Sequence, residues 1–217
     1  MKTSVKATLI AIAVAVVLLI VGIVYALSQR AATPESPEGG QLQTVRTDSH
    51  VLDEGGADAV TVVEFLDFEC EACAAFYPIV EDLRASFEGD ITYVVRYFPL
   101  PGHVNSTQAA LAAEAAAQQD RFEDMYHALF ETQTEWAHSD VETPAAFRGI
   151  AEDLGLDMAA YDAAIADPAT LQRVQADKTD GEKLGVSSTP SFFIDGAPVE
   201  LQDWDDLEQA IEKAVDG

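Results

Sequence analysis

"EFLDFECEACAAF", Glu64 to Phe76, holds the only two cysteines of a 217-residue chain, Cys70 and Cys73. The run before them, "AVTVVEFLDF" (59–68), is β-branched and aromatic on both faces, as a central strand covered on both sides requires. The run after them places Ala74, Phe76, Tyr77, Val80, Leu83 and Phe87 at helical spacing, with Gly89 as the stop and Pro78 as an expected kink. "DITYVVRYFPL" (90–100) is a second strand, ended by Pro99 and Pro101. Strand, helix, strand in this order is a βαβ unit with parallel strands, and the cysteines stand at its first turn.

A thiolate is the nucleophile of disulfide exchange, and the unpaired N–H groups of a helix N-terminus favour it. The spacing predicts that Cys70 faces solvent and attacks, while Cys73 lies beneath it and resolves a mixed disulfide. Three other readings compete. A structural disulfide this short closes a tiny loop and gains little entropy. Half a zinc site needs two further ligands, and His50, His103, His127 and His138 have no ligand spacing. A degenerate, inactive pair is the third.

Farther along, "NSTQAALAAEAAAQQDRFEDMYHALFETQ" begins a helical block of about eighty residues. In it Thr143 and Pro144 suit a cap and first turn, and Gly155 a stop. The alanine-rich run 109–117 reads as close helix packing, and Trp136 and Trp204 as packing residues. "PSFFIDGAPVE" is a strand, a turn at Asp195-Gly196 and a strand, and "DWDDLEQAIEKAV" a last helix capped by Asp203.

The bulk composition bounds the partners. Apolar content of 48% and charged content of 23% are ordinary for a globular protein, but the net charge is −26. Residues 1–30 hold three of the twelve bases, Lys2, Lys6 and Arg30, and none of the 38 acids, so the remainder is net −29. Such a surface repels phosphates, which excludes nucleic acid and anionic lipid as partners. Its balance stays soluble in concentrated salt, which predicts a salt-rich, halophilic setting; an acidic secretome from a GC-rich genome gives the same composition.

"TLIAIAVAVVLLIVGIVYAL", Thr8 to Leu27, is an uncharged run of twenty residues. As a helix it is roughly 30 Å long, the thickness of a bilayer core. A cleaved signal's apolar region is usually about 7–15 residues, so residues 8–27 read as a transmembrane signal-anchor rather than a removed leader. The flanking bases put residues 1–7 in the cytoplasm and the rest outside the cell membrane, in a single pass. Residues 28–46, rich in Pro, Gly, Ser and Glu, read as a flexible linker whose ends lie about 25 Å apart. Residues 47–217 form the folded domain.

Three pieces, "EFLDFECEAC", "YFPLPGHVNSTQAA" and "GVSSTPSFFIDG", stand in an order and spacing similar to the thioredoxin superfamily, in its branch of DsbA-like thiol–disulfide oxidoreductases. The resemblance covers roughly residues 46–215. It implies an α/β thioredoxin fold, βαβ…ββα, with a helical subdomain inserted at about 104–184. It implies Cys70 as nucleophile, Cys73 as resolving thiol, a cis peptide at Pro190 after Thr189, and Glu64 as a buried acid that aids proton transfer to the second sulfur. Thr189 and Pro190 would pair with an extended client, and His103 would cap a helix or line the client groove. No cofactor is implied beyond the Cys70–Cys73 disulfide. The partners implied are exported proteins with cysteines and a membrane redox partner, a quinone-linked oxidase or an electron donor. The same residues run in reverse as a reductase or isomerase, and a tethered chaperone without redox turnover is a further alternative. The sequence departs from the best-known oxidants between the cysteines, where Glu71-Ala72 replaces Pro-His. Glu69, Glu71 and Asp67 beside the nucleophile would raise its pKa and weaken the oxidant.

Overall fold

The computed structural model describes residues 43–217. The expected anchor at 8–27, residues 1–7 and the linker up to residue 42 lie outside the described residues. Among the described residues no helix is long and apolar enough to cross a membrane.

The first strand, β1 (His50–Asp53), is followed by β2 (Val60–Leu66), helix α1 (Glu71–Ser86) and β3 (Ile91–Tyr97). β2 and β3 pair in parallel from Val60 opposite Ile91 to Leu66 opposite Tyr97, so α1 is the crossover of the expected βαβ unit. α1 continues through Pro78 without interruption. Six helices come next: α2 (Ser106–Ala117), α3 (Phe122–Glu131), the one-turn α4 (Gln133–Trp136), α5 (Pro144–Asp153), α6 (Met158–Ala166) and α7 (Pro168–Leu184). The chain then returns as β4 (Ser191–Ile194), β5 (Ala197–Pro198) and α8 (Asp206–Val215). This is the expected mixed α/β thioredoxin-like fold with a helical insertion.

The sheet order is β1-β3-β2-β4-β5, with β2 at the centre. β4 runs antiparallel to β2, and the β4–β5 hairpin turns through Asp195 and Gly196 at φ 48 and 81. Two positive-φ residues in succession are what a type I′ hairpin needs. β2 is buried on both faces, which explains its nearly unbroken apolar run. On one face Val62 and Leu66 join Val80 and Leu83 of α1 and Leu207 and Ile211 of α8; on the other Val63 and Phe65 join Val94, Phe98, Val186 and Phe193.

α2 is the axis of the insertion. Its Ala109, Ala110, Ala112, Ala113, Ala115 and Ala116 are all buried, and α3, α5, α6 and α7 pack around it. Methyl side chains on every face let neighbouring helices approach closely, as the alanine run predicts.

Three local expectations are corrected. β1 was not anticipated; it adds antiparallel to β3 at the sheet edge. Asp203 does not cap the last helix: α8 begins at Asp206 after Asp205, and the Asp206 carboxylate accepts from the backbone N–H groups of Gln202 (2.6 Å) and Asp203 (2.7 Å). Trp136 is buried, whereas Trp204 is 54% exposed and leans on Phe76 with ring centroids 4.8 Å apart.

The segment at the start of the described chain is tied down by charge. Arg96 of β3 is fully buried; it pairs with Asp177 and Asp180 of α7 and donates to the carbonyl of Thr44. Arg46 also pairs with Asp180 (3.0 Å), and Arg173 donates to the carbonyl of Asp48 (3.0 Å). Removing one member of a buried ion pair typically costs about 3–5 kcal/mol, because the other is left without a counter-charge.

Candidate active site

Cys70 is the residue before α1, in extended backbone at φ −73, ψ 125, and Cys73 lies within the first turn. Both are free thiols. Cys73 is 1% exposed, as a resolving thiol beneath the surface would be, but Cys70 is only 6% exposed and does not face open solvent as the spacing suggests. The cover over Cys70 includes the loop before β4, where the Thr189–Pro190 peptide is cis. The Cys70 Sγ–H donates to the Thr189 carbonyl at 3.4 Å. The Thr189 hydroxyl is buried without a hydrogen-bond partner among the described residues. Residues 184–188, 190–193 and 198–201, with Pro190 and Ser191 among them, line a groove of about 340 Å³ beside this loop.

The two sulfurs are strongly unequal. The Cys70 thiol is lowered to about 5: the hydrogen bond from Cys73 favours its thiolate most, burial opposes, and the backbone at Cys73 and at Ala72 adds to the lowering. The last two are the N-terminal amides of α1, aimed at the sulfur as the helix dipole requires. Cys73 is pushed well above the ordinary thiol value, by burial first, then by its bond to Cys70 and by the negative charge of Glu64.

Glu64 is 2% exposed on β2, opposite Val95 of β3 and Phe192 of β4. Tyr93 Oη donates to its Oε2 at 2.7 Å. Burial most, then the charges of Glu81 and Cys70, raise its pKa to about 7 against the pull of the Tyr93 bond. A carboxyl that exchanges a proton near neutral pH therefore lies in the field of Cys73.

The acids around Cys70 do not act on it as the sequence suggests. Asp67 is buried: its Oδ1 accepts from Glu69 N (2.9 Å), its Oδ2 from Leu100 N (3.0 Å) and His103 Nδ1 (2.6 Å). Glu69 is buried too, and accepts from Asn105 N (2.6 Å) and His138 N (3.2 Å). Glu71 is exposed, with His138 Nε2 at 3.4 Å. Two of the three carboxylates thus spend their lone pairs on donors of the insertion and of the loop before it. None of the three is among the main influences on the Cys70 thiol.

Two residues that the sequence did not single out belong to this scaffold. Gln133 of α4 donates from Nε2 to the carbonyls of Phe68 (2.7 Å) and Cys70 (3.0 Å). Asn105 is fully buried, accepts from Thr143 N (2.7 Å) and donates toward Trp136 O (3.3 Å). The one available signal was the pair of acids in "FLDFE": charged side chains inside an apolar strand-to-helix joint must find donors. His103 neither caps α2 nor touches Cys70; it pairs with Asp67 and lines a second groove with Pro99, Leu100, Thr107, Val174 and Lys178. Among the described residues, no three His, Cys, Asp or Glu side chains cluster as a metal would need.

The protein-family model described as Thioredoxin matches residues 50–213. Among solved structures, a thioredoxin-like oxidoreductase from Silicibacter pomeroyi DSS-3 is 27% identical, with a TM-score of 0.67 over 82% of this chain and 99% of that one. BdbD from Bacillus subtilis, in oxidised form, is also 27% identical, with a TM-score of 0.64 over 75% and 91%. α-DsbA1 from Wolbachia pipientis, at 20% identity and a TM-score of 0.66 over 79% and 93%, shares the fold. Curated relatives include Na(+)/H(+) antiporters NhaA of Mycolicibacterium gilvum, 35% identical over 65% of this chain, and of Herminiimonas arsenicoxydans, 38% identical over 65%. The matches span 23% and 22% of those two proteins, so the chain corresponds to less than a quarter of their length.

Proposed function

This chain belongs to the thioredoxin family, and from that premise we propose that it is a DsbA-like protein thiol–disulfide oxidoreductase that introduces or exchanges disulfides in exported proteins through Cys70 and Cys73. The observation that carries the reading is the pairing of a thiol lowered to about 5 with one raised well above the ordinary value, one turn apart beside the Thr189–Pro190 loop. A low value makes Cys70 a thiolate at neutral pH and a good leaving group. The likeness to BdbD and to the Silicibacter oxidoreductase supports the same chemistry.

A client thiolate attacks Cys70 Sγ of the oxidised pair, and the bond to Cys73 breaks with its electrons on Cys73. Cys73, whose thiol form is favoured, takes up a proton, and Glu64 is the group that supplies it. A second client thiolate then attacks the client sulfur of the mixed disulfide, Cys70 leaves as thiolate, and the client departs two electrons poorer. The cis Thr189–Pro190 loop beside Cys70 suits pairing with an extended client, whose sequence then matters little.

In this reading the catalytic domain lies outside the cell membrane, residues 8–27 anchor it, and a membrane partner, a quinone-linked oxidase, restores the disulfide. Outside the membrane disulfides persist, which favours oxidation over reduction or isomerisation. Ion transport is no part of it, because the match to the antiporters spans so little of them.

The test is covalent trapping. Cys73→Ser of the purified chain, mixed with a disulfide-bonded peptide, should form a long-lived adduct on Cys70 and release one peptide thiol. Cys70→Ser should form none and lose all exchange activity. A chain that keeps its full effect on client folding as Cys70→Ser is a chaperone, and the redox reading fails.

A further inference from the structure

One residue joins the backbone of the nucleophile to an imidazole 36 positions away. Asp67 accepts Cys70 N at its own carbonyl (3.0 Å), and its carboxylate binds His103 Nδ1 at 2.6 Å. The Asp67 side chain is fully buried and that of His103 is 21% exposed. The charged groups that face His103 are Asp67, Glu69 and Cys70 from the active-site loop, and Lys178 from α7 across the groove they line. The Lys178 ammonium donates to the Pro99 carbonyl (2.6 Å) and sits 5.0 Å from the centre of the Phe98 ring. His103 is thus held by its Nδ1 on the one carboxylate that also shapes the turn into Cys70.

We propose that His103 is a positioning residue for the Cys70 sulfur: held by Asp67, its ring when protonated supplies a positive charge that favours the Cys70 thiolate, and the two charges are coupled. Burial opposes its charge, but the bond to Asp67 and the charges of Asp67, Cys70 and Glu69 outweigh that and raise its pKa. Within the exchange reaction, on which this inference rests for its consequence, His103 acts when the mixed disulfide breaks and the bonding pair stays on Cys70 Sγ. No proton passes to or from the ring.

Coupling between two charges is reciprocal, so it can be read from either end. In the reduced, purified full chain, thiolate absorbance at about 240 nm reports Cys70, and proton NMR reports His103, whose signal is the one that His103→Gln removes. Expected is a rise of the Cys70 pKa by about one unit, roughly tenfold less thiolate at fixed pH, in both His103→Gln and His103→Ala. Expected in Cys70→Ala is an equal fall of the His103 pKa. Gln keeps a side-chain N–H for Asp67 without the charge, so a Gln variant at the native value with only Ala shifted would reduce His103 to a structural prop and overturn the inference. An unmoved His103 in Cys70→Ala would overturn it as well, and that arm leaves the Asp67–His103 pair intact should the His103 variants not fold. Neither measurement needs a client, so coupling in a chain that fails to exchange disulfides would sink the function proposed above and leave this inference standing.

Discussion

Glu64 pits two forces against each other on a single carboxyl group. Burial favours the neutral acid and Tyr93 favours the anion; burial wins, and the folded-state pKa rises from 4.5 to about 7. Between those two values the folded chain holds a proton that the unfolded chain has released. Stability linked to Glu64 is therefore greatest below about pH 4.5, declines as pH rises toward 7, and levels off above it at a cost of about 3 kcal/mol. Urea unfolding from pH 4 to 8 should show this decline in the native chain and lose it in Glu64→Gln, which keeps the shape without the titration. Overlapping profiles would mean that the carboxyl reaches water. Tyr93→Phe removes the donor that favours the anion, so the proton should stay on Glu64 to higher pH still.

Gly181 sets helix propensity against packing in the element α7. A Cβ there would stand 2.8 Å from Cδ2 of Phe98 and 3.0 Å from Cδ1 of Phe65. Replacing Gly by Ala in a helix interior gains up to about 1 kcal/mol of propensity, whereas overpacking a core costs about 1–3 kcal/mol. Both aromatic rings are buried against the sheet, so the clash should prevail, and Gly181→Ala should lower the melting temperature. At the opposite end of the insertion, Glu69→Ala strips the acceptor from the buried amide of Asn105 and the half-buried amide of His138. That should cost about 1–3 kcal/mol and speed hydrogen exchange at Asn105 ahead of the rest of α2.

The same elements show what was legible from the chain alone. The cysteine pair and the Asp195-Gly196 turn are local patterns whose chemistry is written in adjacent residues, the α2 alanines announce close packing by their number, and the cis step at Thr189-Pro190 is implied by the family resemblance alone. The Asp67–His103 and Glu69–Asn105 bonds each bridge 36 positions, and nothing in a one-dimensional pattern says which buried acid meets which donor. The three acids therefore looked like a ring of negative charge around the sulfur, when two of them are already engaged by backbone amides. β1 was missed for a different reason: four residues at a sheet edge, largely half-exposed, carry too short an alternation to stand out.

At the scale of the whole molecule, a net charge of −26 acts against compactness. Exposed charges separated by more than about 10 Å are largely screened from one another at 0.1 M salt, and by more than about 3 Å at 1 M. The unfolding midpoint should therefore rise from low to molar salt. A midpoint indifferent to salt would remove the case for a saline setting.

The charged fastening of Thr44, Arg46 and Asp48 has a mechanical side. Tension applied at residue 43 enters through Arg96, Asp180 and Arg173, which grip α7 and the middle of the sheet. The load reaches the molecule's interior before it can peel β1 from its edge. A pull in single-molecule force spectroscopy should end in one abrupt rupture, not in gradual unzipping.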